Sequence, residues 1–338
     1  MIDRRSVLRG GGIAAGAAAL GIAAGTGPAH AAATPTFLPL PDRVKPLPDN
    51  GPGYRLERVG RHGYVLISGF VQSAFVVTRD GVVLVDAPPA TGAVLPTVIA
   101  SVTDKPVTHV IYSHDHADHV GAITNFPHAI RIAHKDCAEL LALHEDPARP
   151  MPQVVIREDH EVLRLGGEEI HLMYPGANHE AGNILVHFPA HRLVTMTDVV
   201  MPGWAPYRAW GNADYMPGML AAHDAILSLD FDTYVGGHVY RTGTRAQVKQ
   251  SRDFFVDFWS TTKQKMSDFS FAEAAASLAE PANVWAAQKV WIDEIAQSVT
   301  AELIGRWGSK IAAVDTFTAD TAGAAVVSIF TDAPIDFP

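Results

Sequence analysis

Cysteine is almost absent: one residue in 338, Cys137. A single thiol forms no intrachain disulfide and supplies no cysteine-based zinc cluster. Basic side chains are also in deficit, 26 Lys and Arg against 36 Asp and Glu, for a formal net charge of -10. That balance argues against nucleic acid as a partner, because such binding draws much of its affinity from Lys and Arg on phosphates. Charged residues make up only 18% of the chain while apolar ones make up 48%. This excludes a disordered protein and leaves enough apolar surface for a large core. What the chain does have in number is histidine, 16 residues.

The N-terminus carries Arg4-Arg5-Ser6-Val7-Leu8-Arg9, then an Ala/Gly/Ile/Leu run from Gly10 to Gly25, then Ala29-His30-Ala31. A basic start, an apolar stretch and a small-x-small site are the parts of an export signal. The paired arginines resemble a twin-arginine signal, so residues 1–31 are expected to be removed on export to the periplasm or beyond. The run is short and rich in glycine for a span, so no stable membrane anchor is expected. Folding before export would let a metal be loaded in the cytoplasm.

Residues 32–53 are Pro-rich and aperiodic, which predicts a linker. Strand-like stretches follow at 54–59, 63–67, 73–78 and 82–86, with Arg79-Asp80-Gly81 marking a hairpin. A helix is expected at 92–102, a buried strand at 107–112 and a helix at 134–144 that carries Cys137, expected to be buried and inert. Further strands are predicted at 154–156, 161–165, 170–174, 184–188, 193–197 and 233–235, with a helix at 219–229. From Thr244 the pattern turns helical, and Ala324–Ile329 reads as a last strand. Alternating strands and helices predict a layered α/β fold, with residues 54–243 as its main domain and 244–338 as a mainly helical extension.

Directly after the buried strand stands Ser113-His114-Asp115-His116-Ala117-Asp118-His119. Imidazole and carboxylate are the ligands of Zn²⁺ where thiolates are lacking. His114 and His116, two apart, can chelate one ion from an extended loop, while Asp118 and His119 can reach a second. So many ionisable groups at the end of an apolar strand would need partners or a metal.

This cluster resembles the signature of the metallo-β-lactamase superfamily, and four further features match that pattern in order. They are Asp86 closing Val83-Leu84-Val85, His179 after Pro175-Gly176, Asp198 closing Val194-Thr195-Met196-Thr197, and His238 after Gly236-Gly237. The resemblance implies a four-layer αββα sandwich and two Zn²⁺ per chain. His114, His116 and His179 would hold one ion, Asp118, His119 and His238 the other, and Asp198 would bridge them. It also implies hydrolysis by hydroxide formed near neutral pH, with Asp118 passing a proton to the leaving group. Asp86 is expected to accept the free N–H of a ligand histidine. Asn178, Glu180, Thr197 and Val239 depart from the usual neighbours of these ligands. Asp198, where the cysteine-bearing lactamases differ, favours a small-molecule ester, lactone or thioester as substrate over a β-lactam. An iron persulfide dioxygenase is the alternative from another class, which the full set Asp118, His119 and His238 disfavours.

The aromatic stretch that follows Asp198 has two readings. Trp204, Tyr207, Arg208, Trp210 and Tyr215 either wall a substrate pocket or pack on the protein itself. On the first reading Tyr207 or Tyr215 steadies an oxyanion and Arg208 binds a carboxylate.

Overall fold

A computed structural model describes residues 36–332. The export signal expected at 1–31 lies outside the described residues. A seven-stranded sheet runs in chain order: β1 (Arg55–Val59), β2 (Gly63–Ser68), β3 (Val71–Val77), β4 (Val82–Val85), β5 (Val107–Ile111), β6 (Ile130–His134) and β7 (Val154–Ile156). The first four pair antiparallel, and β4 to β7 pair parallel. The second sheet has β8 (His160–Leu165), β9 (Glu168–Met173), β10 (Leu185–Phe188), β11 (Leu193–Thr195) and β12 (Thr233–Val235) in the order β12-β11-β10-β9-β8.

Period-two alternation explains how both sheets are covered on both faces. Val65, Ile67, Val76, Val83, Val85 and Ile111 point inward, against Ile170, Leu172, Val186 and Val235 of the other sheet. Their neighbours Leu66, Phe75, Leu84 and Val110 point outward. There they meet α2 (Leu95–Val102) and α4 (Lys135–His144), which bury Val98, Ile99, Cys137 and Leu141. Burial pushes the Cys137 thiol well above its ordinary pKa. The helix expected at 92–102 is two pieces, α1 (Pro89–Gly92) and α2, since Pro96 starts α2 afresh near its N-terminus. A short α3 (Ala117–Val120) follows β5.

The outer face of the second sheet shows Leu185, Val194 and Tyr234 to a helical layer. That layer is α6 (Gly218–Leu227), α7 (Arg245–Asp268), α8 (Phe271–Ala276), α9 (Val284–Trp307) and α10 (Val314–Thr331). Thr244 and Gln247 close a capping box that starts α7. One apolar core joins Leu185 and Val194 to Phe254, Phe258, Val299, Leu303, Ala325 and Val326. Packing therefore runs straight through the boundary expected at 243/244: the C-terminal helices are the fourth layer of the sandwich. The strand expected at Ala324–Ile329 is part of α10. Its small and branched side chains face α9 and α7 at helical spacing, with Ala322, Ala325, Val326 and Ile329 buried. No helix among the described residues is long and apolar enough to cross a membrane.

Candidate metal centre

Each expected ligand stands just past the end of a β-strand or in the loop that joins two. The loop after β5 carries His114 and His116, and α3 carries Asp118 and His119. His179 sits between β9 and β10, Asp198 just past β11 and His238 just past β12. Backbone geometry makes this convergence costly in places. Asp86 and Asp198 take left-handed φ values of 60° and 64°. Gly237 has φ 83°, and a Cβ there would lie 2.6 Å from Thr197 Cγ2 and 3.1 Å from His119 Cε1. Only glycine lets the β12 end approach so closely.

The structure brings the seven side chains together in two sets, His114–His116–His179–Asp198 and Asp118–His119–His238. Asp198 faces both. Its Oδ2 lies 3.1 Å from His119 Nε2, 3.3 Å from His179 Nε2 and 3.8 Å from His114 Nε2, and its Oδ1 lies 3.4 Å from His238 Nε2. Asp118 Oδ2 stands 3.6 Å from both His119 Nε2 and His238 Nε2. Imidazole nitrogens meet nitrogen to nitrogen at 3.1 Å in two places, His116 Nδ1 with His179 Nε2 and His119 Nε2 with His238 Nε2. His114 Nε2 and Asp198 Oδ1 are moreover buried without a hydrogen-bond partner. Orphaned nitrogen and oxygen donors converging on common points fit divalent metal ions. His114 Nδ1 is hydrogen-bonded to Ser113 Oγ at 2.9 Å, which leaves Nε2 for a cation.

Electrostatics follow the burial. Desolvation holds His114 well below its ordinary pKa and His179 down to about 4, so both are neutral, as ligation requires. Burial also pulls on His119, but Asp198, Asp86 and Asp118 outweigh it and raise the ring to about 9. Asp198 is held well below the carboxylate range, because His119, His179 and His238 overcome its own desolvation.

Asp86 does not accept a histidine N–H. Its Oδ1 accepts the Ser113 N–H at 2.8 Å, its Oδ2 accepts the Thr197 hydroxyl at 3.1 Å, and His119 Nδ1 has no partner. The carboxylate ties the Ser113 backbone beside His114 to the Thr197 side chain beside Asp198. Sequence reasoning assigned no role to Glu180 beyond a departure from pattern. Its Oε1 lies 3.6 Å from His116 Nε2, on the side of the ring away from the cluster, and its Oε2 accepts the Asp115 N–H at 3.3 Å. Burial and then the neighbouring Asp115 raise Glu180 to about 9. A carboxyl beside a ligand histidine was the available signal.

A cavity of ≈ 950 Å³ opens over the cluster, with His116, Asp118, His179, Asp198 and His238 in its wall. Of the five candidate loop residues, Trp204 and Tyr207 line it, and Arg208 and Tyr215 do not. Trp210 is buried at 1% exposure among Phe254, Phe255 and Phe258, in the core under the helical layer. The turn α5 (Arg208–Asn212) turns it inward, since Ala209, Trp210 and Gly211 are all left-handed. Gly211 stays at the cavity wall, where a Cβ would come within 3.3 Å of the Asp198 carbonyl oxygen.

Comparison with known proteins agrees with this geometry. The family profile described as "Metallo-beta-lactamase superfamily" matches residues 67–238. The chain is 35% identical over 167 residues to 2,4-dinitroanisole O-demethylase subunit alpha of Nocardioides sp. (strain JS1661), covering 47% of this chain and 47% of that protein. The chain thus spans about half the length of the curated relative it matches. Among solved structures, a metallo-beta-lactamase from Pontibacter korlensis is 18% identical with a TM-score of 0.52, covering 60% of this chain and 98% of that one. DIM-1 metallo-beta-lactamase is 19% identical with a TM-score of 0.51, covering 60% and 96%. The four-layer sandwich holds a His/Asp cluster that could bind metal ions, and the chain belongs to the metallo-beta-lactamase superfamily.

Proposed function

We propose that the protein hydrolyses a carboxylic ester, lactone or thioester with two zinc ions held by the seven clustered side chains. The observation that carries this reading is Asp198, whose carboxylate faces imidazoles of both ligand sets within 3.8 Å. Zinc held by these residues would supply Lewis acidity and activate water near neutral pH. The chain's own groups do the rest. His114 and His179, neutral and buried, hold their nitrogens towards the centre without competing protons. The His238 imidazole beside Asp118 holds that carboxyl down to about 2, so it is ionised and can take up a proton on one oxygen. Its side chain is 62% exposed at the cavity, which suits delivery of that proton to a leaving alcohol or thiol. Phe70 stacks on His238 with ring centroids 5.7 Å apart and lines the cavity beside it. The Arg4-Arg5 signal supports export by the twin-arginine route, with action in the periplasm or outside the cell.

Turnover of a panel of esters, lactones, thioesters and β-lactams on zinc-loaded protein tests the reading, alongside metal analysis. Two zinc ions per chain are expected, with activity lost on chelation and in His116→Ala. One iron per chain with consumption of dioxygen would replace the hydrolase by the dioxygenase. A second reading is favoured by the Nocardioides relative, whose name states that it acts on 2,4-dinitroanisole. Cleavage of an electron-poor aryl methyl ether by the same cluster would release a phenol and methanol, and both products can be assayed directly.

A further inference from the structure

The cavity over the metal cluster is walled by segments far apart in the chain. Phe37, Leu38 and Leu40 come from the N-terminal arm, and Ala313, Thr316 and Phe317 from the start of α10. These two segments are fastened to each other. The Leu38 N–H donates to Asp315 Oδ2 at 2.6 Å. The Arg43 guanidinium donates to the carbonyls of Ser309, at 3.2 Å, and of Lys310. Arg241 Nε donates to the Lys45 carbonyl at 2.6 Å, and Val44 is buried. The loop after Asp198 joins them through the Ala205 N–H to the Ala312 carbonyl at 2.8 Å, and the Ala312 N–H to the Gly203 carbonyl at 2.9 Å. Tyr207 then packs edge-on against Phe317 with ring centroids 4.8 Å apart.

This much fastening holds apolar side chains that nonetheless stay open to solvent. Phe37 is 57% exposed and Tyr207 48%. Six aromatic rings face the cavity: Phe37, Phe70, Trp204, Tyr207, Tyr240 and Phe317. Among the described residues that line it there is no Lys or Arg, and the only charged side chains that are not histidine are Asp118 and Asp198. A ligand carboxylate beyond the reach of the cations would lose part of its hydration against aromatic rings and find no cationic partner among these side chains. A neutral aromatic or branched apolar group would be favoured there by burial and ring packing.

We propose that the N-terminal arm and the start of α10 form a selecting wall, which admits uncharged substrates bearing an aromatic or branched apolar group and rejects those with a carboxylate the cations do not take. The proposal rests on the hydrolase reading and narrows its substrate class.

The test separates binding from turnover by using ketones that cannot be hydrolysed. Binding of 4-tert-butylacetophenone and of 4-acetylbenzoate to the metal-free full chain, where no zinc can take the carboxylate, is measured by calorimetry. The neutral ketone is expected to bind at least about tenfold more tightly. Phe317→Ala is expected to weaken the neutral ketone about fivefold. Leu40→Arg, a change at a side chain 40% exposed, is expected to tighten 4-acetylbenzoate about fivefold. Equal affinities, no binding of the neutral ketone, or unchanged affinities in both variants would overturn the proposal. Turnover of 4-tert-butylphenyl acetate is scored separately. Selective ketone binding without turnover removes the hydrolase reading and leaves the wall; turnover without selectivity does the reverse.

Discussion

Asp86 offers the sharpest probe of how the fold positions the metal ligands. Its carboxylate accepts one hydrogen bond from the Ser113 N–H and one from the Thr197 hydroxyl, next to His114 and Asp198 respectively. Both donors are on residues 1% exposed, so water cannot replace the lost acceptor, and each orphaned group costs about 1–3 kcal/mol. Asp86→Ala also places a Cβ-bearing residue without a polar side chain at φ 60°, for about 1 kcal/mol more. Against this, burial raises the Asp86 pKa, and deleting a desolvated carboxylate returns part of the loss. The net expectation is about 2–4 kcal/mol of destabilisation. Freed of the tie, the two ligand loops should lose about 10–100-fold in zinc affinity. Asp86→Asn keeps an acceptor for Ser113 and tolerates the left-handed backbone, so it should lose less than about tenfold. Urea unfolding of zinc-free protein and competition with a chelator measure the two effects. Wild-type zinc affinity in an Asp86→Ala protein that unfolds more easily would refute the positioning role, since the tie would then serve stability alone.

Zinc uptake should release protons, because His119 stands near about 9 before it ligates. Below that pH it is protonated, so affinity should fall by about tenfold per pH unit from this group alone. Calorimetry in two buffers of different ionisation enthalpy counts the protons, and a flat affinity between pH 7 and 9 would contradict the assignment. His179, held to about 4 by burial, adds no proton to that count near neutral pH. Glu180→Ala removes the carboxyl 3.6 Å from His116 Nε2 and should lower zinc affinity about tenfold, with partial rescue by Glu180→Gln. Zinc retained per chain under rising chelator reads this out. Trp210→Ala should cost about 3–5 kcal/mol in unfolding, since its indole sits among Phe254, Phe255 and Phe258. A raised KM with unchanged stability would instead return that ring to the substrate.

Much of this molecule was legible along the chain because the relevant chemistry is local. Alternation of Val65, Leu66 and Ile67 marks a strand covered on both faces, whatever covers it. A His-x-His-x-Asp-His run can do little at the end of an apolar strand except gather a cation, and the β5 end holds that run where the other ligands can reach it. Other features had no local signature. Ala324–Ile329 is compatible with a strand or a helix, and packing on α9 chose the helix. Trp210 carries the same indole as Trp204, yet three left-handed residues turn one into the core while the other lines the cavity. Phe37 and Phe317 lie 280 residues apart in numbering and share one wall only because Asp315 and the carbonyls of residues 309 and 310 hold the arm in place. Sequence alone determined the layered fold and the identity of the His and Asp side chains that cluster, since donor type and periodicity are properties of neighbouring residues. Which aromatic rings line the cavity, and that no Lys or Arg stands among them in the described residues, was decided by tertiary structure, because it depends on which distant backbones close over the same space.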